Sequence, residues 1–115
     1  MTDAEIIECA RHVRETVLNG SSSESMCWGV CAPLAEALCA RGMQVDLVKG
    51  DLGEILHYWL RLPDGRALDP TCDQFVGSLL QDAPDVYLGH PTEIHRATSD
   101  PPLRKPPSFS LANWI

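Results

Sequence analysis

The chain has 115 residues, 44% of them hydrophobic and 22% charged, a composition typical of one globular domain. Its formal net charge of −7 argues against nucleic-acid binding, because an acidic surface repels phosphates and the nine lysines and arginines are scattered along the chain. No apolar run approaches the roughly 18 residues that a membrane-spanning helix needs, and the first residues do not resemble a secretion signal. We therefore expect a cytoplasmic protein that binds neither nucleic acid nor membrane.

The N-terminal part of the chain predicts a helix followed by a polar loop. Thr2 and Glu5 have the spacing of a capping box, and apolar residues follow at helical intervals from about Asp3 to Leu18. Asn19 and the following glycine end this pattern. The serine-rich residues 21–25 then predict a loop that leads to a second helix.

The second predicted helix begins with a cysteine and spans residues 27–41. Its apolar positions lie within a narrow arc of the helix and predict a face that packs on the core, formed by Cys27, Cys31, Leu34 and Leu38. Pro33 is unusual inside a helix, because an interior proline lacks the backbone N–H that the helix uses for a hydrogen bond. If the helix begins near Pro33 instead, Cys31 becomes the cysteine closest to its N-terminus.

The rest of the chain predicts a small antiparallel sheet and an extended tail. Residues 45–48 and 57–62 are rich in strand-forming residues, and a Pro-Asp-Gly turn should bring residues 66–68 back as a hairpin partner. Residues 75–80 predict a loop or short helix, and residues 86–88 a final strand. We expect one α+β domain over residues 1–97 and a proline-rich extended tail over residues 98–115.

Three residues in this arrangement can form a catalytic triad. A cysteine attacks as thiolate, and a position at a helix N-terminus beside an imidazole lowers its pKa. Cys27 has that position, and His57 begins a strand that can lie against the helix. Asp69 follows across the hairpin and can orient His57 through its other ring nitrogen. We therefore predict Cys27 as nucleophile, His57 as general base and acid, and Asp69 as the orienting carboxylate.

The same segments resemble a known family. Cys27-Trp28 at a helix start, His57-Tyr58-Trp59-Leu60 in a strand and Leu68-Asp69-Pro70-Thr71 after it occur in the order typical of the transglutaminase-like branch of the papain-like superfamily. The resemblance covers roughly residues 23–75. It implies a papain-like α+β fold, with N-terminal helices packed on a small antiparallel sheet. It also implies a thiol-dependent hydrolase or acyl-transfer enzyme that acts on an amide or acyl group of a protein or peptide and needs no cofactor.

Two other functions stay open at the level of sequence. Cys27, Cys31, Cys72 and His57 offer four potential metal ligands, but the cysteine spacing is not that of common zinc sites and we expect no bound metal. A noncatalytic interaction module that retains the fold is the second alternative. Such a module would bind partners through the acidic surface or the proline-rich tail.

Further polar and thiol groups receive simple structural interpretations. Five cysteines are an odd count for a disulfide framework, so we expect reduced thiols, with Cys9, Cys31 and Cys39 in the core. Loop histidines are commonly exposed to solvent, and we assign no catalytic role to His90 and His95. For an oxyanion we favour the backbone N–H of Cys27 or Trp28 over three polar side chains that precede the nucleophile, those of Asn19, Ser23 and Ser25.

Overall fold

The computed structural model describes residues 1–52 and 56–96, which form two helices packed on one antiparallel sheet. The helices are α1 (Asp3–Leu18) and α2 (Cys27–Ala40). Four strands lie side by side in chain order: β1 (Asp46–Asp51), β2 (Leu56–Arg61), β3 (Ala67–Asp69) and β4 (Tyr87–Gly89). A short 3-10 helix, Cys72–Phe75, connects β3 to β4. The predicted α+β class, with N-terminal helices on a small antiparallel sheet, is confirmed.

The sequence also leads to expectations about the C-terminal tail, membrane-spanning helices and the cysteines. The proline-rich tail at residues 98–115 lies outside the described residues. Within residues 1–52 and 56–96, no helix is long and apolar enough to cross a membrane. All five cysteines lie in the described part of the chain, and all are free thiols.

Helix α1 has the boundaries that its sequence predicts, because its end groups are satisfied locally. The Thr2 side chain accepts a hydrogen bond from the Glu5 backbone N–H at 3.2 Å, and the Glu5 carboxylate accepts one from the Thr2 N–H at 2.9 Å. Asn19 adopts a left-handed conformation, with φ of 48°, and ends the helix. The apolar face is buried and consists of Ile6, Ala10, Val13, Val17 and Leu18.

Helix α2 begins at Cys27 and contains Pro33, so the alternative start near the proline is wrong. The missing hydrogen bond does not break the helix, because almost all of its first nine residues are buried and tertiary packing holds them in place. Cys31 is fully buried, as expected for a core thiol. The prediction of core positions for the other two cysteines is wrong, because Cys9 is half-buried and Cys39 is exposed. Cys39 follows the buried Leu38 by 100° around the helix, which turns it away from the sheet.

The sheet is covered on both faces. Leu47, Leu60 and Leu68 pack with the helices in the main hydrophobic core. Because successive strand residues point to opposite faces, Val48, Trp59 and Ala67 form a second cluster on the other face. The chain after β3 supplies a further cluster around Phe75, Cys72 and Ile94. The second face of the sheet therefore belongs to the interior of the molecule.

Strand β2 is paired unequally on its two sides. It pairs with β1 along its whole length, from Leu56 to Arg61. Its pairing with β3 involves Leu60 and Arg61 only. The N-terminal end of α2 reaches the part of β2 that β3 leaves unpaired, since the Cys31 thiol donates to the Tyr58 carbonyl at 3.4 Å. This opening in the sheet brings the start of α2 to His57.

Candidate active site

Cys27 is the first residue of α2 and lies against the start of β2. Its thiol points at the Leu56 carbonyl oxygen, with an S···O distance of 3.9 Å. Met26 is the N-cap residue, and its apolar side chain accepts no hydrogen bond from the helix. It therefore does not offset the partial positive charge of the helix N-terminus. Cys27 therefore occupies the position that the sequence predicts for a nucleophile.

The surroundings of Cys27 favour its thiolate. Burial alone would raise its pKa, but His57 and the backbone amides of Tyr58 and Trp28 stabilise the negative charge, and the net effect lowers the pKa. Cys31 shows the opposite behaviour. Its pKa is raised well above the ordinary value by burial and by the negative charges of Asp69 and Cys27. Of these two cysteines, Cys27 is therefore the one whose thiolate form is favoured.

His57 is completely buried and is held by Asp69. Its Nε2 lies 2.7 Å from Oδ2 of Asp69, and both side chains have 0% exposure. Its other ring nitrogen, Nδ1, is buried and makes no hydrogen bond of regular geometry in the described part of the chain, although His57 and the Cys27 thiol are close enough to interact. Burial lowers the pKa of His57, but the interactions with Asp69 and Cys27 outweigh it and raise that pKa to about 9. The imidazolium form is therefore the stable form at neutral pH.

Strand alternation explains how Asp69 reaches His57. Leu68 pairs with Leu60, so the next residue of β3 points to the same face of the sheet as Trp59 and His57. The Asp69 Oδ1 accepts a hydrogen bond from the Thr71 N–H at 3.1 Å. Burial raises the pKa of Asp69, but hydrogen bonds from His57 and His95 more than compensate and keep it below the ordinary value. The carboxylate is therefore ionised and fixed in orientation.

The structure adds His95 to this group of residues. Its Nε2 lies 2.9 Å from the same Asp69 oxygen that contacts His57. The interpretation of His95 as an exposed loop residue is wrong, because it is 7% exposed and its ring contacts Trp59 and Tyr87. The sequence carries no signal for this contact. His95 follows Asp69 by 26 residues in a loop, and only the folding of that loop over the second face of the sheet brings them together.

The three polar side chains before Cys27 that could donate to an oxyanion have other positions in the structure. Ser23 is buried, and its hydroxyl donates to Asp73 at 2.8 Å. Asn19 ends helix α1. Ser25 is exposed and has a left-handed backbone, with φ of 60°. The backbone amides at the start of α2 are thus better placed to meet negative charge beside Cys27.

The histidine and carboxylate atoms of this site are closer together than the ligands of a tetrahedral metal ion. Within residues 1–52 and 56–96, His57, Asp69 and His95 are the one group of three whose ligand atoms come within 4.8 Å of one another, and the cysteine-rich set that we considered does not form such a group. Zinc ligands lie about 2.0–2.2 Å from the ion, so two ligands of a tetrahedral ion are roughly 3.3 Å apart. The Nε2–Oδ2 distances of 2.7 and 2.9 Å are instead those of hydrogen bonds.

Comparisons with known proteins add no relative. A scan of protein-family models, a search of curated proteins and a search of solved structures each returned no match for this chain. The site is therefore described by its own geometry. It combines a cysteine at a helix N-terminus, whose pKa is lowered, with a buried histidine beside it and a buried carboxylate hydrogen-bonded to that histidine.

Proposed function

We propose that the protein is a thiol-dependent hydrolase or acyl-transfer enzyme that uses Cys27, His57 and Asp69. The observation that carries the proposal is the pairing of a buried, Asp69-bound imidazole with the one cysteine that begins helix α2. This order of groups matches the logic of a nucleophile, a base and an orienting carboxylate. It also fits the resemblance to transglutaminase-like enzymes.

The charges of the site define the first chemical step. The Cys27 thiolate attacks the carbonyl carbon of an amide or ester and forms a C–S bond, and the carbonyl π electrons move to oxygen. The start of α2 directs backbone N–H groups toward that oxyanion. When the intermediate collapses, the C–N or C–O bond breaks and the Nδ1 of His57 gives its proton to the leaving group. The product of this step is a thioester on Cys27.

The second step releases the acyl group. His57 is now neutral, and its Nδ1 takes a proton from water, or from an acceptor amine, as that molecule attacks the thioester carbonyl. Asp69 stabilises the imidazolium that forms again. The C–S bond then breaks and regenerates the Cys27 thiolate. The same residues thus serve hydrolysis and acyl transfer, and the acceptor decides between them.

The position of the thiol suggests the substrate class. The Cys27 sulfur lies beside the backbone carbonyl of Leu56, a residue that is 51% exposed, while Cys27 itself is 7% exposed, so the thiol lies just beneath the surface. A domain of this size has few further elements that could form a deep cleft around the thiol. We propose a side-chain amide or ester group of a protein or peptide as the substrate, because such a group projects from its chain and needs no long cleft.

The experiment that tests the proposal is acylation by p-nitrophenyl acetate, followed by mass spectrometry of the protein. The wild type should release p-nitrophenol in a burst and carry one acetyl group on Cys27. Cys27→Ala and His57→Ala should lose the burst, whereas Cys39→Ala, which removes an exposed thiol, should keep it. Acetylation that does not depend on His57, or that falls mainly on Cys39, would overturn the proposal.

A second assay separates the possible reactions. Peptides that contain glutamine are incubated with the wild type and with Cys27→Ala, and ammonia release and new peptide ends are measured. Ammonia without cleavage supports attack on a side-chain amide. Cleavage of the main chain that requires Cys27 would contradict the proposed substrate class while keeping the enzyme.

A further inference from the structure

We propose that His95 is a positioning residue for the proposed reaction: as a neutral imidazole it donates a hydrogen bond to Asp69 and so holds the carboxylate that orients His57. The inference rests on the proposed function. It extends the predicted triad by a fourth residue that lies in the loop after β4.

The hydrogen bonds around His95 determine which of its nitrogens carries the proton. The Thr92 backbone N–H donates to Nδ1 of His95 at 3.0 Å, and the Thr92 hydroxyl, also 3.0 Å away, can donate to it as well, so we assign this nitrogen as the acceptor. The proton of a neutral ring then lies on Nε2, which faces Oδ2 of Asp69. A second proton on Nδ1 would point at the Thr92 N–H. His95 is therefore a neutral donor to Asp69.

The His95 ring is fixed by packing as well as by hydrogen bonds. Tyr87 stacks on it with ring centroids 5.6 Å apart, and Trp59 meets it edge-on at 5.2 Å. The His95 backbone N–H donates to the Thr92 carbonyl at 2.9 Å and closes the turn that carries the ring. A side chain held in this way has a single orientation toward the carboxylate.

The consequence concerns the state of Asp69. The carboxylate accepts hydrogen bonds from the Thr71 N–H and from the rings of His57 and His95. A carboxylate that loses one donor is less stable as an anion and takes up a proton at higher pH. A protonated Asp69 no longer balances the imidazolium of His57, and Cys27 then loses the partner of its thiolate.

Two substitutions separate the donor from the ring. His95→Phe keeps a flat ring between Trp59 and Tyr87 but removes the donor. His95→Gln places an amide N–H near the position of Nε2 but removes the ring.

The readout is the rate of Cys27 carbamidomethylation at pH 5 divided by the rate at pH 8. Three titratable groups face His57: Cys27 from α2, Asp69 from β3 and His95 from the loop after β4, whose ring centroid lies 6.0 Å from that of His57.

The expected result is a change of profile in one variant alone. His95→Phe should lower the pH 5 to pH 8 ratio by about tenfold, because a hydrogen bond to a charged group contributes at least that much. His95→Gln should stay within about twofold of the wild type. If both variants keep the wild-type ratio, or if both lose it equally, the inference is overturned.

A measurement on the wild type covers the case in which His95→Phe does not fold. Nitrogen-15 chemical shifts of the histidine rings at neutral pH should show a proton on Nε2 of His95 and none on its Nδ1. A charged ring, or a proton on Nδ1, would overturn the inference. Failure of wild-type Cys27 to become acylated overturns the proposed function itself, whereas normal acylation with an unchanged His95→Phe profile overturns the positioning role alone.

Discussion

Oδ2 of Asp69 lies 2.7 Å from Nε2 of His57, and neither side chain is exposed to solvent. The two residues belong to strands β2 and β3, beyond the last residues through which those strands pair. The contact therefore replaces a continuation of the sheet at the point where helix α2 arrives. Burying such an ion pair costs desolvation energy, so the pair is weak evidence of a role in stability. Buried charged pairs with shifted pKa values are instead common at functional sites.

Asp69→Asn is expected to slow turnover and also to destabilise the fold. From the sequence alone, with Asp69 only orienting His57, the melting temperature should hardly change. The structure alters that expectation, because the amide of asparagine cannot accept all three hydrogen bonds that the carboxylate accepts. We expect a loss of about 1–3 kcal/mol in unfolding free energy and a decrease of on the order of 10³-fold or more in turnover.

Urea denaturation and the acylation burst measure these two effects. Asp64→Asn is the matched control, since Asp64 lies in the exposed turn before β3 and its substitution should leave turnover unchanged. A fully active Asp69→Asn protein would show that the carboxylate has no role in the reaction.

The pH dependence of stability should reveal the paired charges. The raised pKa of His57, about 9, contributes stability that is fully present below its ordinary value near 6.5 and is lost as the pH rises through 9. The lowered pKa of Cys27 contributes stability that is present above its ordinary value and is lost as the pH falls. The two slopes oppose each other in the wild type, so its stability should be nearly flat as the pH approaches 9.

Cys27→Ala removes one of these slopes. Its unfolding free energy should fall as the pH rises above 6.5, because the hydrogen bond that His57 donates to Asp69 still favours the imidazolium, and the fall should end below pH 9 because Cys27 no longer helps to raise the His57 pKa. Urea unfolding at half-unit pH steps gives both curves. Parallel curves for the wild type and the variant would contradict an ion pair between the Cys27 thiolate and the His57 imidazolium.

Arg14 should be important for stability, because its hydrogen bonds connect helix α1 to the segment between β3 and β4. Its guanidinium donates to the Asp73 carboxylate at 2.8 and 2.9 Å and to the carbonyls of Pro70 and Asp85. Arg14→Met should cost about 2–3 kcal/mol of unfolding free energy, since it leaves a half-buried carboxylate without its cation. Arg11→Met removes an exposed ion pair to Asp85 and should change it by less than about 0.5 kcal/mol. Equal losses in urea unfolding would contradict this role.

Much of the fold could be predicted because its signals are local. The capping box at Thr2 and the apolar spacing of α1 determine that helix without reference to the rest of the chain. The turn before β3 likewise predicts the hairpin, and with it the approach of Asp69 to His57. The polar loop before Cys27 predicts a helix start at this residue, and α2 does begin there.

The remaining features depend on contacts between distant segments. Pro33 lowers the local preference for helix, and only burial in the core shows that α2 continues through it. His95 reaches Asp69 because the loop after β4 covers the second face of the sheet, which no pattern in residues 90–96 indicates. The same long-range packing decides that Ser23 binds Asp73 instead of facing the site.

The most direct test of the account is the pH profile of cysteine alkylation in the folded protein. Iodoacetamide is added from pH 5 to pH 9, and mass spectrometry assigns the modified peptides, with exposed Cys39 as an internal reference for an accessible thiol. Cys27 should react fastest relative to Cys39 at the acidic end, and His57→Ala should abolish that advantage. Cys31 and Cys72 should react slowly throughout, because burial raises the pKa of both thiols. A Cys27 to Cys39 ratio that does not rise toward pH 5, or that is unchanged in His57→Ala, would contradict an activated thiol at Cys27.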